Sequence, residues 1–263
     1  MLRRAPRRDG LPFARWTLAP LMVTVLWLAP LTPSGVHRLL ERFRPVYRRG
    51  QAHVHSPDPE YDAKPAAVRR ARAEARASGG RVVLVYLDEV SYHRRPSVGC
   101  GYAPVGGPGR PAEQGHRTNT RRRVVGARNA LTGRLTHGSG RPAGVAALVR
   151  LYAQLRADYP DAEGIYVAQD NWPIHFLPAL VGAVADTPVR LLRLPTYAPW
   201  TNPVEEVWRK RRQEVRHQHP FGDDWDGLTA AVDAWLDDAR AHPEPLRRYT
   251  GLRRRRRRRN TRR

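Results

Sequence analysis

Residues 82–88 read Val-Val-Leu-Val-Tyr-Leu-Asp, and residues 165–170 read Ile-Tyr-Val-Ala-Gln-Asp. Each is a short run rich in β-branched and aromatic residues, and each closes on an aspartate. Runs without polar alternation belong to strands buried on both faces, inside a sheet covered by helices. A third run, Val189–Leu194, also reads as a strand. Between the second and third runs, Ile174–Val184 has the spacing of a helix. Before the second, Gly144–Tyr159 places Val145, Leu148, Leu151, Tyr152 and Leu155 on one helical face. Further upstream, Arg122–Arg128 and Arg134–Thr136 read as strands flanking an Asn-Ala-Leu-Thr-Gly turn. Downstream, Pro203–Val215 and Trp225–Ala241 read as helices. Strands first, then helix and strand in alternation, predict an α/β fold with a mixed sheet flanked by helices.

Outside this core the chain changes character. Residues 97–110 read as short strand and turn. Residues 106–121, rich in Gly, Pro and Arg, read as a mobile loop. Ala66–Ala77 reads as an Ala/Arg/Glu helix, and residues 44–65 as a Pro-, His- and Arg-rich linker. In the first 50 residues, Thr32 is placed to cap a helix that has Pro33 at its first position. Val36, Leu39, Leu40 and Phe43 repeat along it, with His37, Arg38, Glu41 and Arg42 on the other side. Leu18–Leu28 reads as a preceding helix. The pair fits part of a helix-turn-helix or a plain helical hairpin. The expected organisation is a helical region at 1–50, linker and helix at 51–80, the α/β domain at 81–252 and a basic tail at 253–263. Seven consecutive arginines, Arg253–Arg259, lie in that tail; such a run stays solvated and is free to meet phosphates.

The 263 residues include 41% hydrophobic positions, a globular and not a disordered composition. With 47 Lys and Arg against 24 Asp and Glu, the net charge is +23, which favours a polyanionic partner: nucleic acid or an anionic membrane surface. Only Lys64 and Lys210 are lysines, a bias that GC-rich coding would also produce. One cysteine, Cys100, excludes an internal disulfide and a thiolate metal site. Arg3, Arg4, Arg7 and Arg8 precede the apolar stretch Leu18–Leu31, as in a signal peptide. That stretch is interrupted by Pro20 and Pro30 and is short against the ~20 residues of a membrane span. A cytoplasmic, nucleoid-associated protein with no membrane partner is expected.

Three carboxylates stand out. Asp88 and Asp170 close two buried strands, and Glu205 opens a helix just after the third. A carboxylate ending an apolar strand is costly unless paired, hydrogen-bonded or metal-bound, and ligand sites in α/β sheets gather at the carboxyl ends of strands. Three acids converging there make an oxygen-donor site suited to Mg²⁺ or Mn²⁺. Two such ions about 3.5–4 Å apart serve phosphoryl transfer. Each residue also has a plainer reading. Asp88 and Asp170 fit as caps after their strands, with Asn171 completing a turn. Asn202, Pro203 and Glu205 fit a capping box.

The wording around these acids carries a resemblance. Asp88-Glu89, followed by Gly-Tyr-Ala-Pro-Val-Gly, resembles the first acidic motif of bacterial insertion-sequence transposases related to mariner elements. Gln169-Asp170-Asn171-Trp172-Pro173-Ile174-His175 looks like their second. Leu194-Pro195-Thr196-Tyr197-Ala198-Pro199-Trp200-Thr201-Asn202-Pro203-Val204-Glu205-Glu206-Val207-Trp208 is similar to their third, and 34 residues separate Asp170 from Glu205. The resemblance covers about residues 45–252. It implies a ribonuclease-H-like fold and DDE chemistry, with Asp88, Asp170 and Glu205 holding two divalent ions, Mg²⁺ or Mn²⁺, and Asn171 and Asn202 in support. The implied partners are DNA, as element ends and as target, and a second copy of the chain in the DNA complex. Arg38, Arg42, Arg121, Arg122, Arg209 and Lys210 are the candidate DNA contacts. Glu89 and Glu206 read as surface ion-pair residues, with Glu206 in reach of Arg209 or Lys210; Trp208 reads as core, and His175 as structural. Against longer family members, the expected state is an N-terminally truncated transposase that cuts and pastes DNA. The alternatives are a remnant that only binds DNA and a basic exported or membrane-surface protein.

Overall fold

The computed structural model describes residues 6–43, 56–116, 120–140 and 144–250. The arginine tail, residues 44–55 of the expected linker and residues 117–119 of the expected loop lie outside the described residues. The chain divides into two compact units, Met1–His53 and Val54–Arg263.

In the first unit, α1 (Leu18–Thr24) and α2 (Pro33–Arg42) are separated by a 3₁₀ turn at Leu26–Leu28. Leu21, Leu28 and Val36 are buried together, with Leu18, Met22 and Leu39 packed against them. The helix expected over Leu18–Leu28 ends early, because Val25 adopts extended backbone after a β-branched run of Val23 and Thr24. Thr32 caps α2 as its sequence demands: its hydroxyl accepts the backbone N–H of Gly35 at 3.1 Å. Arg38 and Arg42 are exposed, on the side of α2 away from buried Val36.

The second unit is built on a five-stranded mixed sheet in the order β3-β2-β1-β4-β5. Its strands are β1 (Val82–His93), β2 (Arg121–Asn129), β3 (Leu135–Gly140), β4 (Gly164–Gln169) and β5 (Val189–Arg193). β1 pairs antiparallel with β2 on one side and parallel with β4 on the other. The expected mixed sheet flanked by helices is present. Strand alternation sends the two faces of β1 to two cores. Val83, Val85 and Leu87 meet α4 (Val145–Asp158) and α5 (Pro178–Val184) through Leu148, Leu151, Leu155 and Leu180. Leu84, Tyr86 and Tyr92 meet α3 (Ala63–Ala77), α6 (Glu205–Arg211) and α7 (Trp225–Ala241) through Val68, Val207, Trp208, Leu228 and Leu236. Both faces are covered, which is why β1 and β4 read as unbroken apolar runs.

Several boundaries differ from expectation, each for a local reason. β1 runs past Asp88 to His93 because β2 goes on pairing with it, from Asp88↔Gly126 to His93↔Arg121, after the pairing with β4 stops at Tyr86↔Ala168. Of residues 97–110, only Ser97 enters a β-bridge, with His217; Gly and Pro leave no strand there. The helix expected over Ile174–Val184 is a 3₁₀ turn, Pro173–Phe176, then α5, divided where Pro178 starts a new helix. The helix expected over Pro203–Val215 starts only at Glu205 and passes into a π turn at Arg212–Arg216. A last helix, α8 (Pro243–Tyr249), follows α7 and buries Leu246. Among the described residues no helix is long and apolar enough to cross a membrane.

Candidate active site

The early end of β1–β4 pairing opens the sheet between these two strands at their carboxyl ends. Asp88 lies on β1 just beyond the last β4 pair, and Asp170 is the first residue after β4. This is the place where one neighbour of β1 is antiparallel and the other parallel, so the chain leaves in different directions and a crevice forms. Glu205 reaches it from the start of α6, after the β5–α6 loop has crossed the strand ends. Asp88, Asp170 and Glu205 all line one recess of about 330 Å³, with Asn171, Thr196 and Asn202 also in its wall.

Each carboxylate is held differently. Asp88 accepts the indole N–H of Trp208 at 3.1 Å. Trp208 is 2% exposed and approaches the sheet over Gly126, the residue opposite Asp88. A methyl group there would lie 2.5 Å from the indole, so glycine is what lets Trp208 reach Asp88. Burial, and then the nearby charge of Glu205, push the Asp88 carboxyl up to about 7. Glu205 is also raised, by burial first, against the pull of Arg212 and Arg209. Asp170 goes the other way. Burial alone would raise it, but hydrogen bonds from the His175 ring and the Trp172 backbone N–H outweigh that and lower it.

His175 is the organising group on the α4–α5 side. It is fully buried, with Nδ1 2.8 Å from Asp170 Oδ1 and Nε2 2.9 Å from Glu89 Oε1. Burial would depress its pKa, but its hydrogen bonds to Asp170 and Glu89 outweigh it and carry it up to about 10. Gln169 completes this layer: its side chain accepts the Tyr152 hydroxyl at 2.8 Å and donates to the His175 carbonyl at 3.4 Å. Glu89 is therefore not the surface ion-pair residue expected. It follows Asp88 in a strand, so it points to the opposite face, where its side chain is 10% exposed beside His175.

Asn202 also departs from expectation. Its Oδ1 accepts the Val204 N–H at 3.4 Å, as a cap would, but α6 starts only at Glu205 and no side chain caps that start. In addition the Asn202 amide donates to the Leu87 carbonyl at 3.0 Å, tying the β5–α6 loop to β1 beside Asp88. Asn171 donates to the Thr196 hydroxyl at 3.0 Å. Tyr197, next in that loop, sits at φ 52° with its side chain largely exposed, a backbone region bulky residues seldom occupy.

The candidate DNA contacts separate into two groups. Arg38, Arg42, Arg121 and Arg209 are exposed, Arg209 in an ion pair with Glu206 at 2.9 Å, as the helical spacing predicts. Arg122 is half-buried and paired with Asp233 at 3.0 Å. Lys210 is paired with Glu214 and lies over the Tyr249 ring.

Among the described residues, no three His, Cys, Asp or Glu side chains are gathered closely enough to hold a metal ion as they stand. Asp170 is drawn toward His175 and Asp88 toward Trp208, while the charges of Glu205 and Asp170 raise Asp88 and that of Asp170 raises Glu205. The donor set of the three acids is all oxygen in a partly buried recess, which is the chemistry that fits a hard divalent cation.

Over 228 residues the chain is 26% identical to the insertion element IS630 uncharacterized 39 kDa protein of Shigella sonnei; the match takes in 86% of this chain and 65% of that protein. In structure it is similar to a pre-cleavage Mos1 transpososome, with a TM-score of 0.61 at 15% identity, over 92% of this chain and 78% of the other. It is similar to the Mos1 mariner paired end complex with Mn, with a TM-score of 0.59 at 16% identity, over 92% and 79%. That likeness shows the fold to be ribonuclease-H-like. The family model described as DDE superfamily endonuclease matches residues 83–226, more than half of the chain and the whole span from Asp88 to Glu205, so the chain belongs to the DDE superfamily endonuclease family.

Proposed function

We propose that this chain is a transposase nuclease: it cuts DNA strands at the ends of a mobile element and joins the freed ends to target DNA. The observation that carries this reading is the meeting of Asp88, Asp170 and Glu205, from three separate elements, in one recess whose acidic donors are all oxygen, where burial and the charge of Glu205 push Asp88 up to about 7. Those three side chains would hold two divalent ions, Mg²⁺ or Mn²⁺, which when bound activate the attacking oxygen and stabilise the leaving one. The protein's own groups do the rest. Trp208 fixes Asp88 through its indole N–H, and His175 fixes Asp170 in its ionised form, ready to accept a cation. Asn202 anchors the loop that presents Glu205.

DNA supplies the expected polyanion for a net charge of +23. Arg209 lies one helical turn beyond Glu205 and is placed to meet a phosphate near the recess; Arg121, and in the first unit Arg38 and Arg42, are exposed and free to meet phosphates. The related Mos1 structures are paired-end and transpososome assemblies; a homodimer is the corresponding proposal here, since joining needs two ends held together.

Direct cation binding tests this reading. Electron paramagnetic resonance of free Mn²⁺ should show saturable binding to the protein, and Glu205→Gln should weaken it by about tenfold or more, as loss of an anionic ligand requires. Binding of equal strength in Glu205→Gln would remove Glu205 from the site.

A further inference from the structure

Ahead of the sheet, residues 56–64 fasten the two loops that form the recess. Asp58 is the centre of this contact. Its side chain is 1% exposed, yet it carries a full carboxylate. Lys64 Nζ donates to both of its oxygens, at 2.9 and 2.7 Å, and the backbone N–H of Glu60 donates to Oδ1 at 2.9 Å. The backbone N–H of Thr196 donates to Oδ2 at 2.7 Å, and the Asn171 amide lies 3.5 Å from the same oxygen. Two further bonds run from the same segment to the β5–α6 loop: Ser56 Oγ donates to the Thr196 carbonyl at 2.5 Å, and Trp200 Nε1 donates to the Tyr61 hydroxyl at 3.0 Å.

These partners are not spread at random. Asn171 is the neighbour of Asp170, and Thr196 begins the loop that ends at Glu205. Asn202 pins the far end of that loop to β1. A buried carboxylate is expensive unless fully satisfied, and here, beside Lys64 and the Glu60 N–H, its partners come from the two loops that carry Asp170 and Glu205. We propose that Asp58, neutralised by Lys64, is a positioning residue of the cation site: it holds the Asp170–Asn171 turn and the Thr196 loop in mutual register, and so sets the directions of Asp170 and Glu205. The inference rests on the reading of the recess as a divalent-cation site. Metal-ligating constellations tolerate only about 0.5 Å of misplacement, and loss of a supporting group outside the ligand shell typically weakens metal affinity by about 10–100-fold.

The test uses the full chain with Asp58→Asn, Asp58→Ala and Lys64→Met. Asparagine keeps an acceptor for Thr196 but gives up the ion pair with Lys64; Lys64→Met removes the same pair from the other side. Three quantities are read: Mn²⁺ affinity by electron paramagnetic resonance, the Mn²⁺ concentration giving half-maximal plasmid nicking, and the urea midpoint. Asp58→Asn and Lys64→Met should remain folded, bind Mn²⁺ about tenfold more weakly, and shift the half-maximal concentration upward by the same factor, with nicking recovered at high Mn²⁺. Asp58→Ala should shift both further; if it fails to fold, the other two variants carry the test. Variants with a lowered urea midpoint but wild-type Mn²⁺ affinity would overturn the inference and leave Asp58 a purely structural residue. Wild-type protein that binds no Mn²⁺ would overturn the cation-site reading and this inference with it.

Discussion

Asp88→Asn should do two opposite things. It should lower strand cleavage by about a thousandfold or more, because an amide cannot supply the anionic oxygen on which cation binding and charge stabilisation depend. In metal-free buffer at pH 8 it should also stabilise the folded protein. The Asp88 carboxyl is pushed up to about 7, burial being the larger cause and Glu205 the next. A carboxyl raised on folding contributes stability at low pH, below its unfolded value near 4, and loses it as the pH rises through about 7. At pH 8 the wild type therefore bears the cost of an ionised Asp88, about 2 kcal/mol given its partial contact with water, and the amide does not. Asparagine can still accept the Trp208 N–H, so packing is preserved. Urea unfolding at pH 8 and pH 5 checks this: the variant should be the more stable at pH 8, with the gap narrowing at pH 5. Added Mn²⁺ should stabilise the wild type alone.

His175→Ala should be among the most destabilising single changes in the second unit, by about 3–5 kcal/mol in urea unfolding. His175 has no solvent exposure and stands between Asp170 and Glu89. Removing it leaves Glu89, only 10% exposed, without its partner and opens a cavity beneath the Asp170 turn. The pH dependence has a definite sign. The His175 pKa is raised on folding to about 10, since its hydrogen bonds to Asp170 and Glu89 outweigh the opposing effect of burial. Its contribution is present in full below the unfolded value near 6.5 and is lost as the pH climbs through about 10. The difference in stability between wild type and His175→Ala should therefore shrink between pH 7 and pH 10. A difference that grows over that range would mean His175 is not held as the cation between two carboxylates.

The parts of this molecule that can be read from its sequence are those decided locally. Val82–Leu87 and Ile165–Ala168 announce buried strands because both faces of β1 and β4 are covered. Thr32 announces its helix because a cap needs only the next turn. The three acids are legible through strand ends and through a long motif. What escapes is decided by distant partners. Asn202 has the spacing of a cap, and its oxygen accepts the Val204 N–H, but nothing local signals that a carbonyl 115 residues away, that of Leu87, will take its amide N–H. Glu89 looks like a companion of Asp88 in an acidic pair; strand alternation turns it to the other core, toward a histidine 86 residues later. Asp58 lies in a stretch whose composition reads as linker, and nothing in its neighbours signals that Thr196 will meet it. The length of β1 was partly legible: Tyr86, Val90 and Tyr92 continue one face of a strand past Asp88.

The most direct test of the central claim is nicking of supercoiled plasmid by the purified full chain with Mn²⁺, beside Asp170→Ala. Asp170 is the acid whose ionised form His175 favours, so its removal should empty the site without releasing a buried charge from β1. The wild type should nick the plasmid only with the cation, and nicking should vanish in Asp170→Ala, while both proteins bind DNA alike. Nicking that persists in Asp170→Ala, or plasmid bound but left intact by the wild type, would contradict that claim.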